Sequence, residues 1–374
     1  TRHERGEVFP TAWADAYATA FELERDALFP STAGTSGGSS APDDGDDDVD
    51  RRAALRLIAV IGTDATVPPG ILEDLHSSVV RVLERTVDVE AWEQAVRDYC
   101  HLVYRRPFDA LIPDLATDIV AVGELLEKGR SPRDQAGLLR VSASLSSILA
   151  EMLCNVGDER AARRTWSLAR QAADASGDRA TQIWVRGRAA QHISWAGGSH
   201  QTVMTLVDEA IQIADGSPFP GLPQAYAAGA YQTAHQMDLG TARDSLNQLK
   251  RAFDRVPHSR NEQTILLFQE SQLRWSEAYV ETVCGDKRAE AAVGHARALY
   301  PDTAQVPITN LHLMRAIGLT KEGEVGEGLE LAATSLRDRP RPVLATRQLV
   351  EQLLDTIPDS ARALPSAREL HALL

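Results

Sequence analysis

Residues 155–172, NVGDERAARRTWSLARQA, carry the pattern from which the architecture of the chain is best predicted. Gly157 separates two helix-forming runs, and Ala162, Trp166 and Ala169 follow it by five, nine and twelve positions. Spacings of three and four residues place these side chains on one face of a helix. Small residues on that face let a second helix approach closely, and the large one fills the gap. The segment thus predicts a turn followed by the second helix of a packed helical pair.

A glycine between two helical patterns recurs four more times, at intervals of 41, 42, 45 and 38 residues, at Gly198, Gly240, Gly285 and Gly323. The corresponding positions are Val203, Val207 and Ala210; Ser245, Leu249 and Ala252; Ala291, His295 and Ala298, with one inserted residue; and Gly328, Ala332 and Ser335. A period near 40 residues is typical of stacked helical hairpins.

Composition favours an all-α fold. The chain has 374 residues, of which 43% are hydrophobic, 25% charged and 5% aromatic, and Ala, Leu and Arg, which favour helix, are abundant. No segment alternates with a period of two, so almost no sheet is expected. Amphipathic patterns ahead of the repeats predict helices over residues 71–85, 89–104 and 108–126.

The net charge of −14 argues against nucleic-acid binding by the bulk of the chain, since DNA-binding surfaces are usually basic. Residues 31–50 are rich in Gly, Ser and Asp and contain no Lys or Arg, which predicts a flexible acidic linker. Any DNA-binding function must therefore reside in a small module. No membrane-spanning run or signal peptide is recognised, so a cytoplasmic protein with no membrane partner is expected.

The small–large–small helix that follows Gly157 resembles the second helix of a tetratricopeptide repeat. The resemblance covers about residues 136–338, and the units are degenerate and longer than the standard repeat. It implies a TPR-like α-solenoid of helical hairpins, in a domain covering residues 51–374, with the earlier helices stacking on as further hairpins.

Residues 2–29, RHERGEVFPTAWADAYATAFELERDALF, resemble the last part of an XRE-family (Cro and phage-repressor-like) helix-turn-helix domain. Residues 2–6 match the end of its third helix, with Gly6 as the C-terminal cap. The resemblance implies that residues 1–30 are the C-terminal remnant of such a domain. The turn at residues 22–24 lacks the usual Gly of the family.

In such a domain the second and third helices read bases, and this chain contains at most the tail of the third. Arg2 and Arg5 are therefore candidate phosphate contacts, which position a protein on DNA without reading its sequence. A structural salt bridge from Arg5 to Glu4 or Asp26 is an equally good interpretation. A helix-turn-helix domain followed by a TPR-like array is the domain order of a large group of high-GC actinobacterial regulators, which this chain resembles. The architecture of that group resembles that of peptide-sensing regulators.

The first helix of each hairpin is expected to line the concave side of the array. Counting back from the repeat glycines gives seven candidate groove residues, namely Glu151, Arg188, His192, Trp195, Trp275, Tyr279 and Asn310. Such a set suits a peptide, because an Asn can bond backbone amides, an Arg can hold a carboxylate and Trp rings can bury side chains. Two alternatives stay open: the aromatic residues can be inter-helix core, and Arg188 and Asn310 can be solvated.

Nothing in the sequence indicates an enzyme. It contains no phosphate-binding glycine loop, HExxH, paired CxxC or GxSxG, and no metal or other cofactor is expected. Packing or surface roles are predicted for the loosely clustered His192, His200 and His235. Cys100, Cys154 and Cys284 are predicted to be structural thiols of a reducing compartment.

The sequence therefore predicts a DNA-binding transcriptional regulator whose TPR-like domain binds a peptide, a small molecule or a protein partner. A homodimer is expected, because operators are commonly two-fold, and about 40 further residues are expected upstream of Thr1. The alternative is a TPR-like protein-interaction scaffold that does not bind DNA.

Overall fold

A computed structural model describes residues 88–128, 131–236, 238–256, 264–337 and 342–374. These residues form fourteen α-helices and contain no β-strand, which confirms the all-α class. The predicted helix at 71–85, the acidic linker and the N-terminal module lie outside the described residues. The helices are α1 (Val89–Leu102), α2 (Phe108–Glu127), α3 (Pro132–Val156), α4 (Glu159–Ser176), α5 (Arg179–Trp195), α6 (His200–Ala214), α7 (Leu222–His235), α8 (Leu239–Asp254), α9 (Glu270–Val283), α10 (Ala289–Leu299), α11 (Gln305–Lys321), α12 (Val325–Leu336), α13 (Leu344–Thr356) and α14 (Pro365–His371).

Short Gly–Asp turns join α3 to α4 and α4 to α5. Gly157 (φ 90°) and Gly177 (φ 70°) take the left-handed conformation that ends each helix, which glycine adopts without steric cost. Asp158 and Asp178 then cap the next helix, each accepting a hydrogen bond from the backbone N–H three residues on. A two-residue turn of this kind reverses the chain, so consecutive helices pack as hairpins.

The helices form two layers. The inner layer consists of α3, α5, α7, α9, α11 and α13, each packed against the next, and the outer layer consists of the even-numbered helices from α4 to α14, each packed against the inner helix before it. Helices α1 and α2 both pack on α3. The inner row curves back on itself, because α13 also contacts α5. Its concave side is therefore partly enclosed.

Helix α3 is the one described helix that is long and apolar enough to cross a bilayer, and 61% of its most apolar window is buried against the rest of the protein. It lies between α2, α4 and α5. Apolar core helices of globular arrays have this composition, because both faces of the helix are covered.

The small–large–small pattern is buried in the first, second and fifth units. Ala162, Trp166 and Ala169 are all at most 2% exposed, and the predicted residues of α6 and α12 are buried as well. In the third unit Leu249 and Ala252 are buried as predicted, whereas Ser245 is only partly buried and Leu246 beside it faces the core. The predicted turn is wrong, because Gly240 lies inside α8 and not before it.

The fourth unit is wrong in register. Ala291, His295 and Ala298 are exposed, whereas Val293 and Ala296 are buried. After Gly285 the chain makes a further turn, and α10 starts only at Ala289. The one-residue insertion assumed for this unit therefore does not give the core-facing positions, which are Val293 and Ala296.

Two glycines in α12 provide a matched test of helix packing. A Cβ on Gly328 would lie 2.8 Å from the Ala316 carbonyl oxygen of α11 and 2.8 Å from Thr320 Cγ2, whereas a Cβ on Gly326 meets nothing within 4 Å. Gly328→Ala is expected to lower the free energy of unfolding by roughly 1–3 kcal/mol, because α11 must move. Gly326→Ala should be neutral or raise it by about 0.5 kcal/mol. Urea denaturation midpoints of the two variants measure this, and equal midpoints would contradict the close packing of α11 and α12.

Candidate functional site

A cavity of about 1110 Å³ lies on the concave side of the inner layer. The cavity is lined by residues of five inner helices, α3, α5, α7, α9 and α11. Its walls are completed by the α1–α2 loop, the α8–α9 segment, the α10–α11 segment and the start of α13. Two long-range bonds tie these walls together: Trp184 Nε1 donates to the Ile265 carbonyl oxygen at 3.1 Å, and the Ile265 N–H donates to the Cys100 carbonyl oxygen at 3.4 Å. The cavity is thus built from residues that are far apart in sequence.

The structure brings six of the seven predicted groove residues to this one cavity: Glu151, Arg188, His192, Trp195, Trp275 and Asn310. The seventh, Tyr279, is fully buried behind the wall and does not line the cavity. Its ring is covered by the indole of Trp275, which stacks on it at 5.6 Å with an interplanar angle of 4°. Arg2 and Arg5 lie outside the described residues, so their proposed contacts with phosphate stay a prediction.

A buried ion pair forms the floor of the cavity. Arg188 Nη2 on α5 donates to Glu151 Oε2 on α3, and His192 Nε2 lies 3.4 Å from Glu151 Oε1. Burial opposes ionisation of Glu151, but the charge of Arg188 and the contact with His192 outweigh it, so the pKa of Glu151 falls well below its usual range. The Arg188 guanidinium stays protonated, since Glu151 offsets the burial that would otherwise lower its pKa. The floor therefore carries two opposite charges.

Aromatic side chains form one wall. Trp195 lies 4.7 Å from Tyr231 and 5.7 Å from Trp275 between ring centroids, with the two indoles nearly perpendicular. The hydroxyl of Tyr231 is hydrogen-bonded to Ser276 at 2.6 Å. Edge-to-face contacts of this kind fix ring planes and add roughly 0.5–1.5 kcal/mol per pair beyond area burial.

A buried polar network holds α13 against the inner layer. Gln352 Nε2 donates to the Tyr279 hydroxyl at 2.8 Å, that hydroxyl contacts His235 Nε2, and Gln348 Nε2 lies 3.1 Å from His235 Nδ1. Burial lowers the pKa of His235 and raises that of Tyr279, so both groups are neutral at pH 7. The network joins α7, α9 and α13 behind the aromatic wall.

The amides that a peptide would need are already engaged. Asn310 Oδ1 accepts a hydrogen bond from Thr346 Oγ1 of α13 at 2.6 Å, and Asn155 Nδ2 donates to the Glu151 carbonyl oxygen at 3.0 Å. Asn310 is only 4% exposed, so it is not a solvated residue. Arg188 is buried to the same degree. The solvated alternative for these two side chains is therefore wrong.

Other residues of the site were not identified in the sequence. Tyr231 and Gln191 line the cavity from α7 and α5, and Tyr231 lies four residues before the end of α7. The sequence analysis predicts no groove residue in the third unit, whereas counting back from the end of α7 would have identified Tyr231. Tyr104 of the α1–α2 loop, Leu299 at the end of α10 and Val306 at the start of α11 also line the cavity. They were not identified because they reach it only through the curvature of the row.

The thiols are suited to packing. Burial raises the pKa of Cys100 to about 12 and that of Cys154 to about 11, so neither is a thiolate at pH 7. Cys284 is half-buried, and its pKa is also raised by burial. Within the described part of the chain, no group of three or more His, Cys, Asp or Glu side chains could hold a metal ion.

Comparison with protein-family models, with curated proteins and with solved structures finds no match to this chain.

Removing one partner of the floor pair is expected to destabilise the protein. Glu151→Gln leaves the Arg188 charge buried without a counter-charge, so the free energy of unfolding should fall by roughly 3 kcal/mol. The control is Glu159→Gln, which breaks the exposed pair with Arg163 on α4 and should change it by less than about 0.5 kcal/mol. Denaturant unfolding at pH 7 measures both, and equal effects would show that the floor pair contributes no more than a surface pair.

The same variant tests the pKa of Glu151. Because this pKa lies below the unfolded value of 4.5, the folded protein binds fewer protons, and the stabilisation is complete above pH 4.5 and lost as pH falls toward the folded value. Glu151→Gln should flatten the pH dependence of stability below pH 4.5. An unchanged slope would contradict the assignment.

His235 predicts a second, separate pH dependence. Its pKa is lowered from 6.5 by burial, so the unfolded chain takes up the proton first, and stability should decline as pH falls below 6.5. His235→Gln should remove this decline, whereas replacement of the exposed His371 by Gln should leave it in place. Thermal or urea unfolding between pH 7.5 and 5 provides the measurement.

Proposed function

We propose that the chain is a ligand-sensing, DNA-binding transcriptional regulator. Helices α1–α14 form the sensing module, and residues 1–30 belong to the DNA-binding module. The observation that carries the sensing role is the cavity of about 1110 Å³ on the concave side, with a buried ion pair at its floor and aromatic rings along its wall. Ligand sites of proteins are concave and mostly apolar, with a few well-placed polar groups.

The array is proposed to be TPR-like. Inner helices that pack in a continuous row, each with an outer partner, are what stacked hairpins produce. The burial of Ala162, Trp166 and Ala169 on one face of α4 supports the same relationship. The repeat period is irregular, as the shifted third and fourth units show, so the array is a degenerate member of this class.

The shape of the concave side favours a small ligand over a protein partner. A scaffold needs an open groove that a partner segment can enter, whereas here α13 contacts α5 across the row and Trp184 is hydrogen-bonded to the α8–α9 segment. The surface left between these elements is a cavity that stays partly open. The narrowing of the concave side by these contacts is the reason to prefer a sensor to the interaction scaffold.

The DNA-binding role rests on the resemblance of residues 2–29 to the end of a helix-turn-helix domain. Of the net charge of −14, residues 31–50 contribute −6 and residues 1–30 contribute −3, which leaves −5 for residues 51–374. A mildly acidic array is not expected to attract the phosphate backbone, so base reading is assigned to a separate module. A homodimer in the cytoplasm is part of the proposal, since one such module reads only a half-site.

DNA binding tests the proposal directly. A form of the chain extended through the coding sequence upstream of Thr1 is titrated against its own promoter fragment, with the 374-residue chain as the matched control. The extended form is expected to bind with an affinity that falls steeply with salt, because phosphate contacts release counterions, and the 374-residue chain is expected to bind much more weakly. If neither form binds at low salt, the regulator proposal fails and the scaffold becomes the better explanation.

A further inference from the structure

Aromatic residues are concentrated around the cavity. They make up 5% of the chain, with 7 Phe, 7 Tyr and 6 Trp, so the 29 residues that line the cavity would hold only one or two at that frequency. The lining instead contains six: Tyr104, Phe108, Trp195, Tyr231, Trp275 and Tyr300. The lining of the cavity is therefore several times richer in aromatic residues than the chain as a whole.

The rings on the inner helices have fixed planes. Trp275 is backed by Tyr279 in a parallel stack, and Trp195 meets Trp275 at 82°. Trp195 and Trp275 are each 8% exposed, so only a small part of each ring reaches the cavity, and its orientation is fixed by the packing. An aromatic ligand can meet such ring surfaces in offset-stacked or edge-to-face contact.

The charges of the interior cancel. Glu151 is the one acidic residue that lines the cavity, and it is paired with Arg188. A charged ligand reaching the floor would find no unpaired counter-charge there, and burying a charge without a partner is unfavourable by several kcal/mol. The remaining cation of the lining, Arg105, is exposed. The interior thus suits an uncharged group.

Two buried donors favour hydrogen-bond acceptors on the ligand. Arg188 Nε and Trp275 Nε1 have no hydrogen-bond partner among the described residues, although both side chains line the cavity and are more than nine-tenths buried. A buried donor without an acceptor is unfavourable by about 1–3 kcal/mol. Both nitrogen atoms have almost no accessible surface, so a carbonyl or ether oxygen would remove this penalty only if binding opens a path to one of them.

The exposed residues of the lining form the mouth of the cavity, and three of them are large and apolar: Tyr104, Leu299 and Val306 are 48%, 43% and 44% exposed. The polar residues Arg105, Thr303 and Gln305 are exposed in the same lining. Exposed apolar side chains in the lining of a cavity are typical of a surface that an apolar part of a ligand covers. An extended peptide fits less well, because each of its residues brings an N–H and a C=O that need partners, and Asn155 and Asn310 are already engaged.

From these features we infer that the cavity binds an uncharged, planar aromatic small molecule that carries oxygen acceptors. It would lie against Trp195 and Trp275, with its outer part covered by Tyr104 and Leu299. This inference names the ligand class of the sensing role proposed above and rests on that role. It concerns binding by α1–α14 alone and involves no DNA.

A matched set of probes separates charge from aromaticity. Anthracene-9-carboxamide is the neutral aromatic probe, anthracene-9-carboxylate and anthracen-9-ylmethylammonium are its charged counterparts, and adamantane-1-carboxamide is the neutral aliphatic one. Binding to the 374-residue chain is followed by isothermal titration, and for the anthracenes also by energy transfer from tryptophan. The neutral anthracene is expected to bind at least about tenfold more tightly than each of the other three, which corresponds to about 1.4 kcal/mol.

Two exposed leucines locate the site without threatening the fold. Leu299 lies at the mouth, whereas Leu168 on α4 is 49% exposed and does not line the cavity. Leu299→Ser is expected to weaken binding of the neutral anthracene several-fold, and Leu168→Ser should leave it unchanged. Trp275→Phe, which keeps a ring in place, should weaken binding less than Trp275→Leu and should reduce energy transfer.

Several results would overturn the inference. These are tighter binding of either charged anthracene, equal binding of the aliphatic amide, equal effects of the two leucine variants, or no binding of any probe up to about 100 μM. Tighter binding of a pool of apolar heptapeptides, with the anthracene displaced, would assign the cavity to peptides instead. The DNA titration of the extended chain is independent of all these results, so the failure of the ligand class and that of the regulator can be told apart.

Discussion

Close approach of the inner helices is the constraint on which the rest of the molecule depends. Between α5 and α7 there is no room for added side-chain atoms: a Cβ on Gly221 would lie 2.6 Å from the Trp184 Cα, and one on Gly187 would lie 2.9 Å from the Gly221 carbonyl oxygen. This close approach sets the spacing in the middle of the inner row. The row as a whole curves so that α13 contacts α5, and the curvature brings the walls of the cavity together.

The curvature also explains why a charged pair can be buried on the concave face. Glu151 and Arg188 come from successive inner helices, and the walls that the curved row brings together shield both from water. A pair of this kind adds little net stability compared with apolar residues of the same size, but it penalises any arrangement that separates the two partners. It therefore fixes the relative position of α3 and α5 more than it strengthens the fold. His192, one turn further along α5, is held by the same carboxylate and by stacking at 5.9 Å on Trp166.

How much could be predicted from the sequence depends on how local each feature is. Helical periodicity was sufficient for the all-α class and for the bounds of α1 and α2 to within two residues. It also identified the inner faces that carry Glu151, Arg188 and Trp195, because the face of a helix is a local property. Periodicity does not tell whether a side chain on the inner face reaches the cavity or is covered by a neighbour. The prediction of Tyr279 as a groove residue is wrong for this reason, because Trp275 covers its ring.

The enclosure of the cavity could not be predicted, because it depends on contacts between distant segments. Arg347 of α13 donates to the Asn155 carbonyl oxygen of α3 at 3.4 Å, across 192 residues of sequence. Gly240 shows a local error of prediction. Its place in the repeat period predicts a loop between two helices, but the residue lies in the first helical turn of α8. Sequence spacing alone does not distinguish a glycine that ends a helix from one that follows its N-cap.

A ligand in this cavity would touch both ends of the curved row. The α1–α2 loop contributes Tyr104 and Phe108, the middle of the row contributes Trp195 and Trp275, and the start of α13 contributes residues 343–345. Anything that binds only when these walls are together stabilises the closed row by mass action. Helix α13 is held by the core residues Leu349, Val350 and Leu353 as well as by polar contacts. A ligand that spans the cavity would add contacts between the α13 wall and the α1–α2 loop on the opposite side of the site.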